Sequence, residues 1–198
     1  ALVLLVHPKN KLAMVTMTEF GSILSGESPL WSKLPGSKLN GAIELCLTGR
    51  NSGLYELVMR SFFKLQKDAP LAAVAASQES VIVYVASHPE ALGVVSFVAW
   101  KDTTQSVSQS WKKNVRAVDL LAKDAEGVLT AIRATQRSIY DRVYPLTYSL
   151  YIYTSEKTPG TAQGFSAFVE GDVGQRVFLY AGLVPKTMPY RTIQLTQD

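Results

Sequence analysis

The sequence holds a single cysteine, Cys46, and two histidines, His7 and His88, among 198 residues. One thiol excludes an internal disulfide framework and cannot build a thiolate zinc centre by itself. Cys46 lies inside the apolar run 42–47, where it reads as a small core residue. The histidines are far apart, each followed by a proline, and neither has a cysteine or carboxylate at metal-ligand spacing. Neither is placed as the base of an activated nucleophile, and no Gly-x-Ser-x-Gly elbow is present. We therefore expect no metal, no cofactor, no catalytic residue and no enzymatic activity.

Long apolar runs are also missing. The longest, 1–6 and 91–100, fall well short of the roughly 20 residues that a membrane-spanning helix needs. The start shows no charged segment, apolar segment and cleavage site in the order of a secretion signal. Ala1 to Val6 reads instead as a buried strand from its first residue, which leads us to expect further sequence upstream. Charge of one sign is scarce as well: 20 basic residues against 16 acidic ones leave a net charge of +4, scattered along the chain. The nearest approach to a cluster, Lys112, Lys113 and Arg116, reads as a solvated strand edge, so nucleic acid is not an expected partner. With 47% hydrophobic and 18% charged residues, the composition argues against disorder.

What is present is an alternation of strand and helix patterns. Thr16-Met17-Thr18-Glu19 matches a capping box, predicting a helix to about Ser25 with Gly26 as its left-handed stop. The Pro-, Gly- and Ser-rich segment 28–40 reads as a loop that tucks Trp31 against the domain. Ala42 to Leu47 predicts a strand, Gly49 to Gly53 a tight turn, and Leu54 to Leu65 a helix with apolar residues at helical spacing. Ala72–Ala76, a helix capped by Ser77, and Leu92–Val98 repeat the pattern. Thr103–Ser110 reads as a polar loop, Val115–Leu120 as a strand, and 125–143 as mostly helical. These alternations predict an α/β layer rich in parallel strands. After Tyr144-Pro145 the alternating segment 147–154 reads as a strand that leaves this layer. Thr158-Pro159 starts a helix, a second helix ends at Ala181 before Gly182, and Tyr190–Leu195 is a last short strand.

One constellation carries chemistry. Thr48-Gly49-Arg50-Asn51-Ser52-Gly53 stands between a strand and a helix, where free backbone N–H groups, a serine hydroxyl, an arginine and permissive glycines suit an anion. The same residues also suit a plain helix cap on Asn51 or Ser52.

The order of segments resembles the phosphate-binding proteins of ABC phosphate transporters, of type II periplasmic binding-protein architecture. Ala1 to Asn10 looks like the family's first hinge-crossing strand and its turn, and Thr16–Gly26 followed by Trp31 like its capped helix and the loop after it. Ala91-Leu92-Gly93-Val94-Val95-Ser96 is similar to a strand of these proteins, and Tyr144-Pro145-Leu146 with Tyr151-Ile152-Tyr153 to the second crossing. Gly164–Val169, Gly174-Gln175-Arg176 and Gly182-Leu183-Val184-Pro185 resemble the closing helices. The resemblance implies a ligand-binding lobe over residues 1–143, including the first hinge strand, and the second hinge strand with the C-terminal part of the other lobe over 144–198. It implies capture of an inorganic anion, phosphate first, for ABC-type import. Arg50, Asn51, Ser52 and Gly53 would bind the ligand, a membrane permease would be the partner, and the protein would be periplasmic or a lipoprotein anchored at the cell envelope. Leu54 stands where the family usually has a threonine hydroxyl. That departure favours the alternative, a non-enzymatic interaction or structural module that kept the fold and lost the ligand.

Overall fold

A computed structural model of the chain describes residues 1–28, 30–63, 68–101, 113–124, 126–156 and 160–186. The chain divides into two compact units, Ala1–Tyr148 and Ser149–Asp198.

The first unit is built on β1 (Leu2–Val6), whose five apolar residues are all buried. Side chains alternate across a strand. Leu2, Leu4 and Val6 therefore join one core with Phe20, Trp31, Leu45, Leu92 and Val58, while Val3 and Leu5 join a second with Cys46, Val81, Val85 and Val95. A strand buried on both faces belongs at the centre of a covered sheet. β1 lies between β5 (Ala91–Ser96) and β6 (Arg116–Lys123), in the order β2-β6-β1-β5-β3-β4, with β7 (Leu129–Ile132) also paired to β6. The other members are β2 (Met14–Thr16), β3 (Glu44–Thr48) and β4 (Ala73–Ala75).

The α/β class is as expected, but the sheet is mixed instead of parallel-rich. β3 runs parallel to β4 and β5, and β2 parallel to β6; β1 is antiparallel to both of its neighbours, and β7 to β6. The helical reading of 125–143 also fails. Asp124 Oδ1 accepts from Glu126 N and Val128 N, and Gly127 takes φ 81°, so the chain folds into a β6–β7 hairpin. Only the five-residue helix α5 (Gln136–Tyr140), capped by Thr135, remains of the expected helix.

The preceding helices cover the sheet. α1 (Met17–Ser25) starts at the predicted capping box, with Glu19 accepting from Thr16 N at 2.8 Å, and stops at Gly26 with φ 76°. Trp31 is fully buried and its indole N–H donates to the Glu90 carbonyl at 3.0 Å, closing the loop onto the sheet. α2 (Gly53–Phe63) packs on the same face, and α3 (Gln78–Ser87) on the other. α3 sits so close to β5 that a Cβ at Gly93 would lie 2.6 Å from Val85 and 2.8 Å from Val81. α4 (Phe97–Lys101) follows β5 directly. The chain closes this unit with Tyr144 and Leu146 in the core; Leu2 N donates to the Leu146 carbonyl at 2.8 Å.

In the second unit, 149–156 form no strand, contrary to the alternation of their side chains; Tyr151 and Tyr153 are exposed and no ladder partner stands beside them among the described residues. α6 (Thr161–Glu170) is capped from outside by Glu156, whose two oxygens accept from Ala162 N and Gln163 N at 3.1 Å each. A carboxylate suits the positive end of a helix. The expected Thr158-Pro159 cap lies outside the described residues, as do the 103–110 loop and the 190–195 strand. α7 (Asp172–Tyr180) meets α6 at Gly174, where a Cβ would come within 2.4 Å of the Phe168 carbonyl. Gln175 Nε2 donates to Val169 O at 2.7 Å and its Oε1 accepts from Lys186 N at 2.6 Å. Gly182, φ 87°, ends the pair.

Candidate functional site

Sheet topology places the site before any side chain is considered. After β3 the chain continues to β4 on one side and later returns to β5 on the other, with both parallel to β3. In α/β sheets the two connections then diverge above the carboxyl end of the shared strand and leave a crevice there. That end is Thr48, followed by the turn 49–52 and α2.

Ser52 builds the turn. Its N–H donates to Gly49 O at 2.9 Å, its Oγ accepts from Tyr55 N at 3.2 Å, and its carbonyl accepts from Glu56 N at 3.1 Å, the arrangement of an N-cap. Its Oγ also shares a 2.6 Å hydrogen bond with Thr48 Oγ1, tying the cap to the buried end of β3. With Tyr55 N satisfied by the cap, the N–H groups of Gly53 and Leu54 head the helix without partners among the described residues.

The four predicted residues come together in this one turn but do not face one space. A cleft of about 760 Å³ at the ends of β3 and β4 is lined by Thr48, Asn51, Ser52, Gly53, Ser77 and Gln78, with Leu54 and Val74 among its apolar neighbours. Arg50 turns instead to a smaller hollow of about 210 Å³ shared with Tyr55, Glu56 and Asp68; Asn51 and Ser52 border both. There its Nη1 pairs with Asp68 Oδ2 at 3.3 Å, and the other carboxylate oxygen accepts from the Tyr55 hydroxyl at 2.8 Å. Burial and then the bond to Asp68 push the Tyr55 phenol above its ordinary pKa. Among the described residues, the lining of the cleft carries no ionised side chain.

Sequence reading missed Asp68 and Gln78. Asp68 lies beyond the end of α2 and reaches Arg50 only through the fold; Gln78 follows a serine that was legible as a cap, which drew attention to Ser77 alone. Among the described residues no three His, Cys, Asp or Glu side chains gather as a metal would need, and no helix is long and apolar enough to cross a membrane.

Comparison with known proteins gives the same architecture. The PBP superfamily domain matches residues 1–172, and the chain belongs to that family. Its fold is that of phosphate-binding proteins of ABC transporters, the type II periplasmic binding-protein class. PstS from Borrelia burgdorferi superposes with a TM-score of 0.68 at 20% identity, over 94% of this chain and 70% of that one. An ABC-type phosphate transport receptor from Vibrio cholerae gives 0.67 at 19% identity, over 92% and 68%. A Clostridium perfringens protein solved with bound phosphate gives 0.66 at 16% identity, over 94% and 68%. No curated protein sequence matches the chain.

Proposed function

We propose that this protein is a solute-binding protein that takes up an inorganic anion, phosphate first, for ABC-type import. It acts by binding alone, at the cell envelope, periplasmic or lipid-anchored, and delivers its ligand to a membrane permease. The carrying observation is the crevice at the end of β3, where the Ser52-capped turn presents the Gly53 and Leu54 N–H groups and the Asn51 side chain. Asn51, Ser52 and Gly53 contact the ligand in this reading, with Arg50 supplying positive charge from the adjoining hollow. The stretch around 144–148, bonded to Leu2, serves as the second crossing to the other lobe.

Two or three hydrogen bonds to a charged ligand contribute about 1.5 to 3 kcal/mol each. Ordering and lost translational freedom cost at least about 4 kcal/mol. This chain should therefore hold phosphate at best in the millimolar range, because micromolar affinity requires about 8 kcal/mol net. Titration of inorganic phosphate, followed through the backbone amide shifts of residues 51–54, should saturate in that range. Asn51→Asp, which places a negative charge on the cleft, should abolish the saturation. No saturable shift in the unmutated protein, or one that Asn51→Asp leaves unchanged, overturns the assignment.

Two observations favour the second reading, an interaction module without a ligand. Leu54 is buried where a hydroxyl would be useful, and Arg50 is already paired with Asp68. The same titration separates the two readings.

A further inference from the structure

Gln78, the first residue of α3, lines the cleft, and its carboxamide is held in one orientation. The backbone N–H of Ser96 donates to Gln78 Oε1 at 2.6 Å. Ser96 offers a donor there, so only the amide oxygen can face it, and this fixes which end of the carboxamide points which way. Nε2, with two N–H donors, is left on the opposite side, and no hydrogen bond from it to another described residue accompanies the Oε1 bond. The anchor is itself fixed: Ser96 ends β5, is 9% exposed, and accepts from Ala99 N through its Oγ at 3.2 Å.

The location follows from strand order. Gln78 stands after β4 and Ser96 ends β5, and β3 lies between those two strands. The Gln78–Ser96 hydrogen bond therefore bridges the carboxyl end of β3, where Thr48 and the 49–52 turn begin. Gln78, held through its oxygen, thus brings a neutral donor to the lining of the cleft that Asn51, Ser52 and Gly53 border.

We propose that Gln78 is a ligand-contacting residue, whose Nε2 donates to an oxygen of a small tetrahedral oxyanion seated beside the start of α2. This rests on the anion-binding reading of the cleft and assigns that cleft a contact from a second helix. Among the described residues every lining side chain here is neutral, so recognition proceeds through oxygens that accept hydrogen bonds, and phosphate and sulfate are both within its class.

Gln78→Glu is the decisive variant. A carboxylate keeps an acceptor for Ser96 N and so preserves the structural bond, but it loses both donors and repels an anion. Inorganic phosphate, and separately sulfate, would be titrated into the protein while the backbone amide of Gly53 and the side-chain amide of Gln78 are observed by NMR. In the unmutated protein both signals should move together and saturate. In Gln78→Glu the Gly53 response should weaken about ten-fold or more, with the urea midpoint unchanged. Gln78→Ala, which loses the Ser96 bond as well, should weaken binding and also lower the midpoint. If Gln78→Glu leaves the Gly53 titration intact, or the Gln78 amide stays still while Gly53 moves, Gln78 is a structural brace only and the proposal falls. If Gly53 does not respond in the unmutated protein either, the anion-binding reading fails and takes this proposal with it.

Discussion

The hydroxyl of Tyr144 donates to the carbonyl of Leu2 at 2.8 Å, across 142 positions of sequence. Together with the Leu2 N to Leu146 O bond, it fastens the start of β1 to the stretch where the first unit ends. Tyr144 is 1% exposed, and burial pushes its phenol far above the ordinary tyrosine range. Tyr144→Phe, which keeps the ring and removes the donor, should cost about 1 kcal/mol in urea unfolding. Tyr144→Ala, which also opens a cavity, should cost about 3 to 5 kcal/mol. A Phe variant as stable as the parent would show that the hydrogen bond contributes nothing net.

At Gly93, α3 and β5 come so close that Val85 and Val81 stand inside the space that a Cβ would need. Gly93→Ala should destabilise by about 1 to 3 kcal/mol through overpacking. Combining it with Val85→Ala should recover part of the loss, because the two changes share one volume. Additive losses in equilibrium unfolding would contradict this account.

Cys46 is fully buried, and burial raises its thiol to a pKa of about 11 from 9.0. Above pH 9 the unfolded chain releases this proton and the folded one keeps it, so the folded state binds more protons and stability falls as pH rises. The contribution is complete below about pH 9 and is lost between 9 and 11. A shift of this size corresponds to roughly 2 to 3 kcal/mol. Chemical denaturation at successive pH values should show the decline, and Cys46→Ala should flatten part of it. Identical slopes for the two proteins would remove Cys46 as the cause.

Asp68 holds Arg50 in an exposed ion pair of 3.3 Å, and in the proposed reading it would compete with an anion for the guanidinium. Exposed pairs hold at most about 1 kcal/mol. Asp68→Asn should therefore raise phosphate affinity by no more than about five-fold at low ionic strength, and the gain should vanish in high salt. Tyr55→Phe, which leaves the carboxylate in place, should change affinity little. Weaker binding in Asp68→Asn would mean that the carboxylate orients Arg50 for the ligand instead of withholding it.

Local signals were legible in the sequence where a motif satisfies its own backbone groups. The Thr16–Glu19 box, the Gly26 stop, the Ser77 cap and the turn at Gly49–Gly53 all stand where the residue types put them. The direction of β1 was not legible, since five apolar residues specify burial on both faces and say nothing of whether the neighbours run parallel. The β6–β7 hairpin was hidden because a helical reading of 125–143 leaves no place for the turn that Asp124 and Gly127 make. At the site, sequence brought Arg50 and Ser52 into one turn but could not reveal that a carboxylate 18 positions later turns the guanidinium aside. Gln78 was hidden for the same reason, because its orientation is set by Ser96 across the sheet.

The central place of β1 has a consequence for how this chain comes to be folded. Residues 2–6 are made well before their hydrogen-bonding partners, residues 92–96 and 116–118. A structure whose middle strand waits for such distant partners folds slowly compared with one built from neighbours, whereas the backbone hydrogen bonds of α1 and α2 are all local. Until β5 and β6 arrive, Leu-Val-Leu-Leu-Val has two open edges and two apolar faces, the composition of a segment that pairs with whatever strand it meets. The segment that ends as the most protected part of the sheet is, during synthesis, the one most exposed to aggregation.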